Sequence, residues 1–353
     1  MPKLNVLHVI TEQDWEIAGA EVIALFDDGN YRFNIMAIVP AGSGATQILH
    51  RRGIPVGTFD ASGTEKDKIK ALTKTIKKIR PGVIHTHTSH YAKIAAHKSG
   101  VAVRVHTQHS IIPLTFSDRW SINSLSTFVI STTESIKKYL ISNGLKPNKT
   151  KVVYHGVPQA TESIAEKQQL AREQLNIPQD AFVVVSFESL TPDYNYVLNT
   201  IKEMPYNVVF ILAGHDGGYR DTLIKRIEKE KMQNVRVLVN VLDIIDILSI
   251  ADVQLNVTET LGIAQASLFL GMSLGKPIIT TDIEISKLIK PENSNILDIP
   301  PNDIAALDDA ITKLKDDIKL YDSLAKNTKA HYRKTFTAEL MAKEIVRIYK
   351  GLV

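Results

Sequence analysis

Val83-Ile84-His85-Thr86-His87-Thr88 is a short β-branched run, apolar where it starts and polar where it ends. A helical pattern precedes it, Glu65–Arg80, with Ile69, Leu72, Ile76 and Ile79 on one face. Another follows, Tyr91–Ser99, which stops at Gly100, a residue type that tolerates a left-handed cap. A helix between two buried strands is the unit of a parallel sheet covered on both faces. Working outward, the same alternation gives strands at Asn5–Thr11, Phe33–Pro40, Ile54–Asp60, Val103–His109, Thr127–Thr133 and Lys151–Val157. Helices are expected between them at Ala18–Asp28, Ala45–Arg52 and Glu134–Ser142.

A polar, Glu/Gln-rich stretch, Gln159–Gln174, interrupts the pattern and reads as a linker leading into a helix. The alternation then restarts with strands at Phe182–Ser189, Asn207–Ala213, Val235–Asn240, Val253–Val257, Pro277–Thr281 and Asn295–Ile299. Two successive βα sets imply an α/β protein of two doubly wound domains, with ligands at the carboxyl ends of the strands. The expected division is 1–165 and 166–336, with a tail helix over 337–350. That tail carries Leu340, Met341, Ile345 and Ile348 at helical spacing, so it must dock on something.

Bulk properties narrow the function classes. The 353 residues are 44% hydrophobic and 23% charged, as in a globular protein, and the net charge of +4 is mildly basic. No Lys/Arg block interleaves with aromatics, so no nucleic-acid partner is expected. With no cysteine, disulfides, thiolate metal sites and a thiol nucleophile are excluded. No apolar run approaches the roughly 18 residues that span a bilayer, and Met1–Thr11 carries no signal-peptide pattern. The expected compartment is the cytosol.

Several segments, collinear from about Asn5 to Tyr349, resemble family 4 glycosyltransferases. Ala18-Gly19-Ala20-Glu21 resembles that family's Gly-Gly-x-Glu, His85-Thr86-His87 its His-Thr-His, and Tyr154-His155-Gly156-Val157 its Pro-Asn-Gly-Val. Phe210–Gly214, Ala251-Asp252-Val253 and Gly275–Thr281 are similar to motifs of its second half. The resemblance implies the GT-B fold, two facing Rossmann-like domains with the last helix crossing back to the first. It implies retaining transfer from a nucleotide sugar to a glycan, lipid-linked or protein acceptor. The chemistry would need no metal or other cofactor and no protein base, because the leaving phosphate is shielded in place. Peripheral contact at the inner membrane face and a partner glycosyltransferase are further expectations. For the lysine-rich helix, however, a core-facing stripe with a solvated back is the preferred reading over a membrane surface.

By the same resemblance, His109 lies at the reacting centre and is the catalytic candidate. Ala18, Gly19 and His87 line the site, and Asn195, Gly214, Glu259 and Gly262 hold the donor. Gly19 is expected between a strand end and a helix start, where a missing side chain admits a phosphate or sugar. His85, His87, His90, His106 and His109 cluster at strand ends, but no carboxylate shares their spacing, so no metal site is expected. The donor half departs from the family. Ser189 and Tyr194 stand where its diphosphate-binding Arg and Lys belong, and Leu270 where its ribose-binding Glu belongs. A non-catalytic glycosyltransferase-like subunit is therefore the alternative, and a nucleotide-sugar epimerase on the same fold a third reading.

Overall fold

The computed structural model describes residues 3–11, 15–29, 33–87, 89–188, 190–214, 216, 218–239, 241, 244–257, 263–281, 284–290 and 296–353. The chain forms two compact units. Unit 1 comprises Met1–Pro158 with Phe336–Val353, and unit 2 comprises Gln159–Thr335.

Unit 1 holds β1 (Leu4–Val9), β2 (Phe33–Pro40), β3 (Val56–Phe59), β4 (Val83–His87), β5 (Val103–Gln108), β6 (Phe128–Ser131) and β7 (Thr150–Val152). They form one parallel sheet in the order β3-β2-β1-β4-β5-β6-β7. The order reverses between β1 and β4, the switch point at which open α/β sheets hold ligands. Unit 2 repeats the plan with β8 (Phe182–Phe187), β9 (Val208–Gly214), β10 (Val235–Val239), β11 (Val253–Asn256), β12 (Ile278–Thr281) and β13 (Ile296–Ile299). Its order is β10-β9-β8-β11-β12-β13, with the switch point between β8 and β11.

Side-chain parity divides the unit 1 core. On one face Leu7, Val9 and Ile84 meet Leu72 and Ile76 of the helix Glu65–Ile79, which Thr64 opens through a capping box with Asp67. The lysines of that helix lie off the buried stripe, which accounts for its charge without a membrane. On the other face Val6, Val83 and Val105 pack with Ala18 and Val22 of the helix Trp15–Gly29. Met341, Ile345 and Tyr349 of the terminal helix Ala338–Leu352 pack there too. The tail thus returns to the first sheet. Val157 clasps it, donating to the Phe336 carbonyl at 3.0 Å and accepting from the Ala338 amide at 2.9 Å. The approach is so close that a Cβ on Gly156 would lie 2.4 Å from the Thr337 carbonyl oxygen.

Several strands of unit 1 end earlier than the sequence predicts because the last residues of the run leave the ladder. His109 stands one residue beyond β5 and His155 three beyond β7.

Because the terminal helix completes this core, Ile345→Ala should destabilise the protein by about 2–5 kcal/mol, the usual cost of truncating a buried aliphatic side chain. Urea unfolding followed by circular dichroism measures it. A loss below about 0.5 kcal/mol would mean that the helix is not part of the core.

Candidate active site

Register builds the site. His8 of β1 pairs with His85 of β4, and β4 carries His87 two residues on; His87 pairs with Thr107 of β5. Parity therefore puts His8, His85, His87 and Thr107 on the face that the first and last helices cover, and Thr86 and His106 on the other. His8, His85 and His87 are fully buried, and their rings lie 4.7–5.4 Å apart between centroids.

Burial of that many imidazoles is tolerable only if their nitrogens are hydrogen-bonded. His109 Nε2 lies 3.0 Å from His87 Nδ1, and His87 Nε2 lies 3.2 Å from His8 Nδ1. His8 Nε2 is 3.2 Å from the Tyr349 hydroxyl, which sits 2.6 Å from His85 Nδ1. His85 Nε2 is 2.6 Å from Thr107 Oγ1, and the Thr107 hydroxyl lies near the Glu21 carboxyl, whose Oε1 has no hydrogen-bond partner among the described residues. Across the sheet His106 bonds Thr86 at 3.1 Å and Gln108 at 3.2 Å.

Burial holds these histidines neutral. It lowers His8 and His109 to about 3 and His155 to about 4. His85, His87 and His106 also fall well below the ordinary value, first through burial; neighbouring histidines then lower His85 and His87, and Lys93 lowers His106. The same desolvation raises Glu21 to about 8.

Where the structure puts each expected site residue differs from the sequence reading in three ways. Gly19 is not in a turn before a helix, because the helix already begins at Trp15 and Gly19 lies inside it. Its neighbour Ala18 is packed in the core. Space does remain beside Gly19, since an added Cβ would meet no described atom within 4 Å outside its own helix. Second, His87 offers no ring nitrogen to a ligand, as His8 and His109 use both.

Third, a carboxylate does join the histidines. Glu21 Oε1 lies 3.7 Å from His85 Nε2, and donor atoms of His8, Glu21, His85 and His87 all fall within 4.8 Å of one another. That spacing would suit an ion, but His8 Nδ1 and His87 Nε2 are hydrogen-bonded to each other, and His85 Nε2 lies closer to the Thr107 hydroxyl than to Glu21. Tyr194, at the family's lysine position, belongs to the core of unit 2. It is fully buried, with its hydroxyl 2.7 Å from that of Ser186.

His109 stands one residue past the end of β5. It is 4% exposed, and among the described residues Nδ1 has no hydrogen-bond partner. His155, equally buried and close enough to depress His109 further, has neither nitrogen partnered among them. Sequence reasoning passed over His155, His8 and Tyr349; for His155 the signal was an imidazole in place of the family's Asn.

In unit 2 the Glu188 carboxyl fills the carboxyl end of β8, accepting from Ser186 Oγ at 3.1 Å and the Val257 amide at 3.0 Å, and from Asn256 Nδ2. Gly214, at φ +147°, is required by this packing, for a Cβ there would lie 1.8 Å from the Glu188 carbonyl oxygen. Asn195 spends its amide on Tyr219 and accepts from Arg226, so its polar atoms are already used. Glu259, Gly262 and Ser189 lie outside the described residues.

Family models match both units: Glycosyltransferase Family 4 over residues 20–160, and Glycosyl transferases group 1 over residues 167–331. The chain is a GT-B glycosyltransferase-family protein resembling family 4. Its fold is shared with HepE of Anabaena in complex with UDP-glucose (TM-score 0.85, 18% identity, covering 99% of this chain and 100% of that one). A glycosyltransferase from Rickettsia africae superposes with a TM-score of 0.83 at 16% identity, covering 100% and 99%. The sucrose-phosphate synthase of Thermosynechococcus elongatus gives 0.76 at 15%, covering 99% of each. By sequence, no curated protein matches the chain. Among the described residues no helix is long and apolar enough to cross a membrane.

The electrostatics set a pH dependence. A histidine lowered in the fold takes up protons only when unfolded, so its contribution is present above about 6.5 and is lost as pH falls towards its folded value. By about pH 5 each of His8, His109 and His155 should cost about 2 kcal/mol. Glu21, raised in the fold, works the other way: its contribution is full below its unfolded value of 4.5 and is lost as pH rises through about 8. The histidines outnumber it, so the urea midpoint should be lower at about pH 5 than at about pH 7, and Glu21→Gln should steepen the drop. A midpoint that rises on acidification would contradict neutral burial.

Proposed function

We propose that this protein transfers a sugar from a nucleotide-sugar donor to a glycan, lipid-linked or protein acceptor, with retention of anomeric configuration. One observation carries the reading. His109 stands just past a sheet strand with one nitrogen fixed by His87 and the other without a partner among the described residues. A buried imidazole so held is poised to meet a sugar hydroxyl or the charge that develops during transfer. The space beside Gly19 supports it. The group-transfer class comes from the family resemblance, and the UDP-glucose bound by HepE of Anabaena supports a nucleotide-sugar donor. The reaction we propose draws on no metal, takes place in the cytoplasm and reaches lipid-linked acceptors by peripheral contact at the inner membrane face.

A second reading has its own observation. The switch point of unit 2 is occupied by the Glu188 carboxyl, and the family's phosphate-binding lysine is replaced by a core tyrosine. Like charge and a missing charge-assisted contact both weaken diphosphate binding. On this reading the chain is a non-catalytic subunit that recognises an acceptor or a partner glycosyltransferase.

His109→Ala should lower turnover by about 10²–10⁴ with the fold intact, measured with a panel of UDP- and GDP-sugars. Unchanged turnover would remove His109 from the site. Calorimetry against the same panel should give dissociation constants on the order of a millimolar for the isolated protein. Micromolar binding would mean that unit 2 holds the diphosphate with other groups.

A further inference from the structure

The net charge of the chain is concentrated in one helix. Helix Glu65–Ile79 carries six lysines against two acids, an excess of four. The whole chain has 42 basic and 38 acidic side chains, so the remaining 36 of each sign cancel. Both acids of the helix stand in its first turn, where Asp67 is held by Thr64 in the capping box. Lys66, Lys70 and Lys74 then recur at i, i+4, a spacing at which like charges destabilise a helix. Elsewhere helical lysines are paired with an acid one turn away, Lys313 with Asp309 and Lys343 with Glu339. Solvation explains why the lysines of Glu65–Ile79 are exposed, but not why no acid is interleaved with them.

Four of these lysines line a groove of about 810 Å³. Lys66, Lys70, Lys74 and Lys77 belong to the one helix, Lys98 comes from the end of the helix His90–Lys98, and Glu65 is the single acid at the groove. None of the five lysines forms an ion pair among the described residues. Ile69 and Thr73, both half-buried, also line the groove, and the Thr73 hydroxyl has no hydrogen-bond partner among the described residues. The helix follows β3, so it begins at the carboxyl ends of the strands, the end at which His109 stands, and runs away from them.

We propose that this groove is an acceptor subsite for an anionic glycan, a stretch of sugar chain with acidic groups on successive units.

Spacing, shape and chemistry favour that occupant. Lysines at i, i+4 stand about 6 Å apart along the axis, a step of the order of one sugar unit in an extended chain. A helix that lies on a membrane needs apolar side chains to bury among lipid tails. None of the large exposed apolar side chains lies on this helix, and Leu72 and Ile76 pack on the sheet. A single-stranded nucleic acid is held by rings on which its bases stack, yet no aromatic side chain lines the groove. Tyr91, the nearest candidate, is covered by Lys68 at 5.8 Å from the ring centroid. A sugar chain needs neither feature: its acidic groups meet ammonium groups, and its hydroxyls can satisfy that of Thr73.

That the anion belongs to an acceptor rests on the transferase reading, but binding is measurable without turnover. The probe is a linear oligogalacturonate long enough to span the groove, titrated by calorimetry. The wild-type chain should bind it and should bind its neutral methyl ester at least about tenfold more weakly. Affinity should also fall at least about tenfold when salt is raised from about 0.05 M to about 0.5 M. Lys70→Glu with Lys74→Glu should weaken binding at least about tenfold while keeping the wild-type urea midpoint. Lys319→Glu with Lys326→Glu, the same change of net charge on an exposed face of unit 2, should leave binding within about twofold. No binding by the wild-type chain, equal binding of acid and ester, or equal losses in the two variants would each overturn the subsite. Binding of phosphatidylglycerol vesicles but not of oligogalacturonate would overturn it too, in favour of a membrane. Selective oligogalacturonate binding by a chain that transfers no sugar would instead overturn the transferase reading alone.

Discussion

Unit 1 is organised around hydrogen bonds between imidazoles buried at its switch point. His8 and His85 are neighbours across β1 and β4 because those strands are parallel and in register. Unpartnered, each buried imidazole would cost about 1–3 kcal/mol or more, so the row constrains whatever covers it. The first helix must supply Glu21 near Thr107, and the terminal helix must supply the Tyr349 hydroxyl between His8 and His85. The return of the chain to its first domain is thus fixed by a polar contact as well as by Met341 and Ile345.

Unit 2 has the same topology with a different centre. Its switch point holds Glu188, tied to Ser186, Asn256 and the Val257 amide, and Gly214 is shaped to the backbone of that residue. The two units therefore divide the chemistry unevenly. One presents a buried neutral histidine with a nitrogen to spare, and the other has Ser189 and Tyr194 where the family resemblance expects phosphate-binding cations, next to the buried Glu188 carboxyl. Sugar transfer and acceptor recognition compete as functions because of that asymmetry.

The fold was legible because βα alternation needs only local pattern, and the tail's docking because its apolar spacing demanded a partner. The histidine row was half legible: parity puts His85 and His87 on one face, but joining His8 to them requires the strand order. Glu21 and Tyr349 reach the row from helices 64 and 264 residues away from His85 in sequence, so no local spacing announces them. Gly19 misled because a small residue before an apolar run resembles a turn, whereas the helix had already started at Trp15.

Neutron diffraction from deuterated crystals grown at about pH 7, above the folded values of about 3 for His8 and His109, tests the central claim most directly. The account predicts one deuteron on each of His8, His85, His87 and His109, and one between each bonded pair in the row. A doubly protonated ring within the row, two links pointing at each other, or an ion among His8, Glu21, His85 and His87 would contradict it.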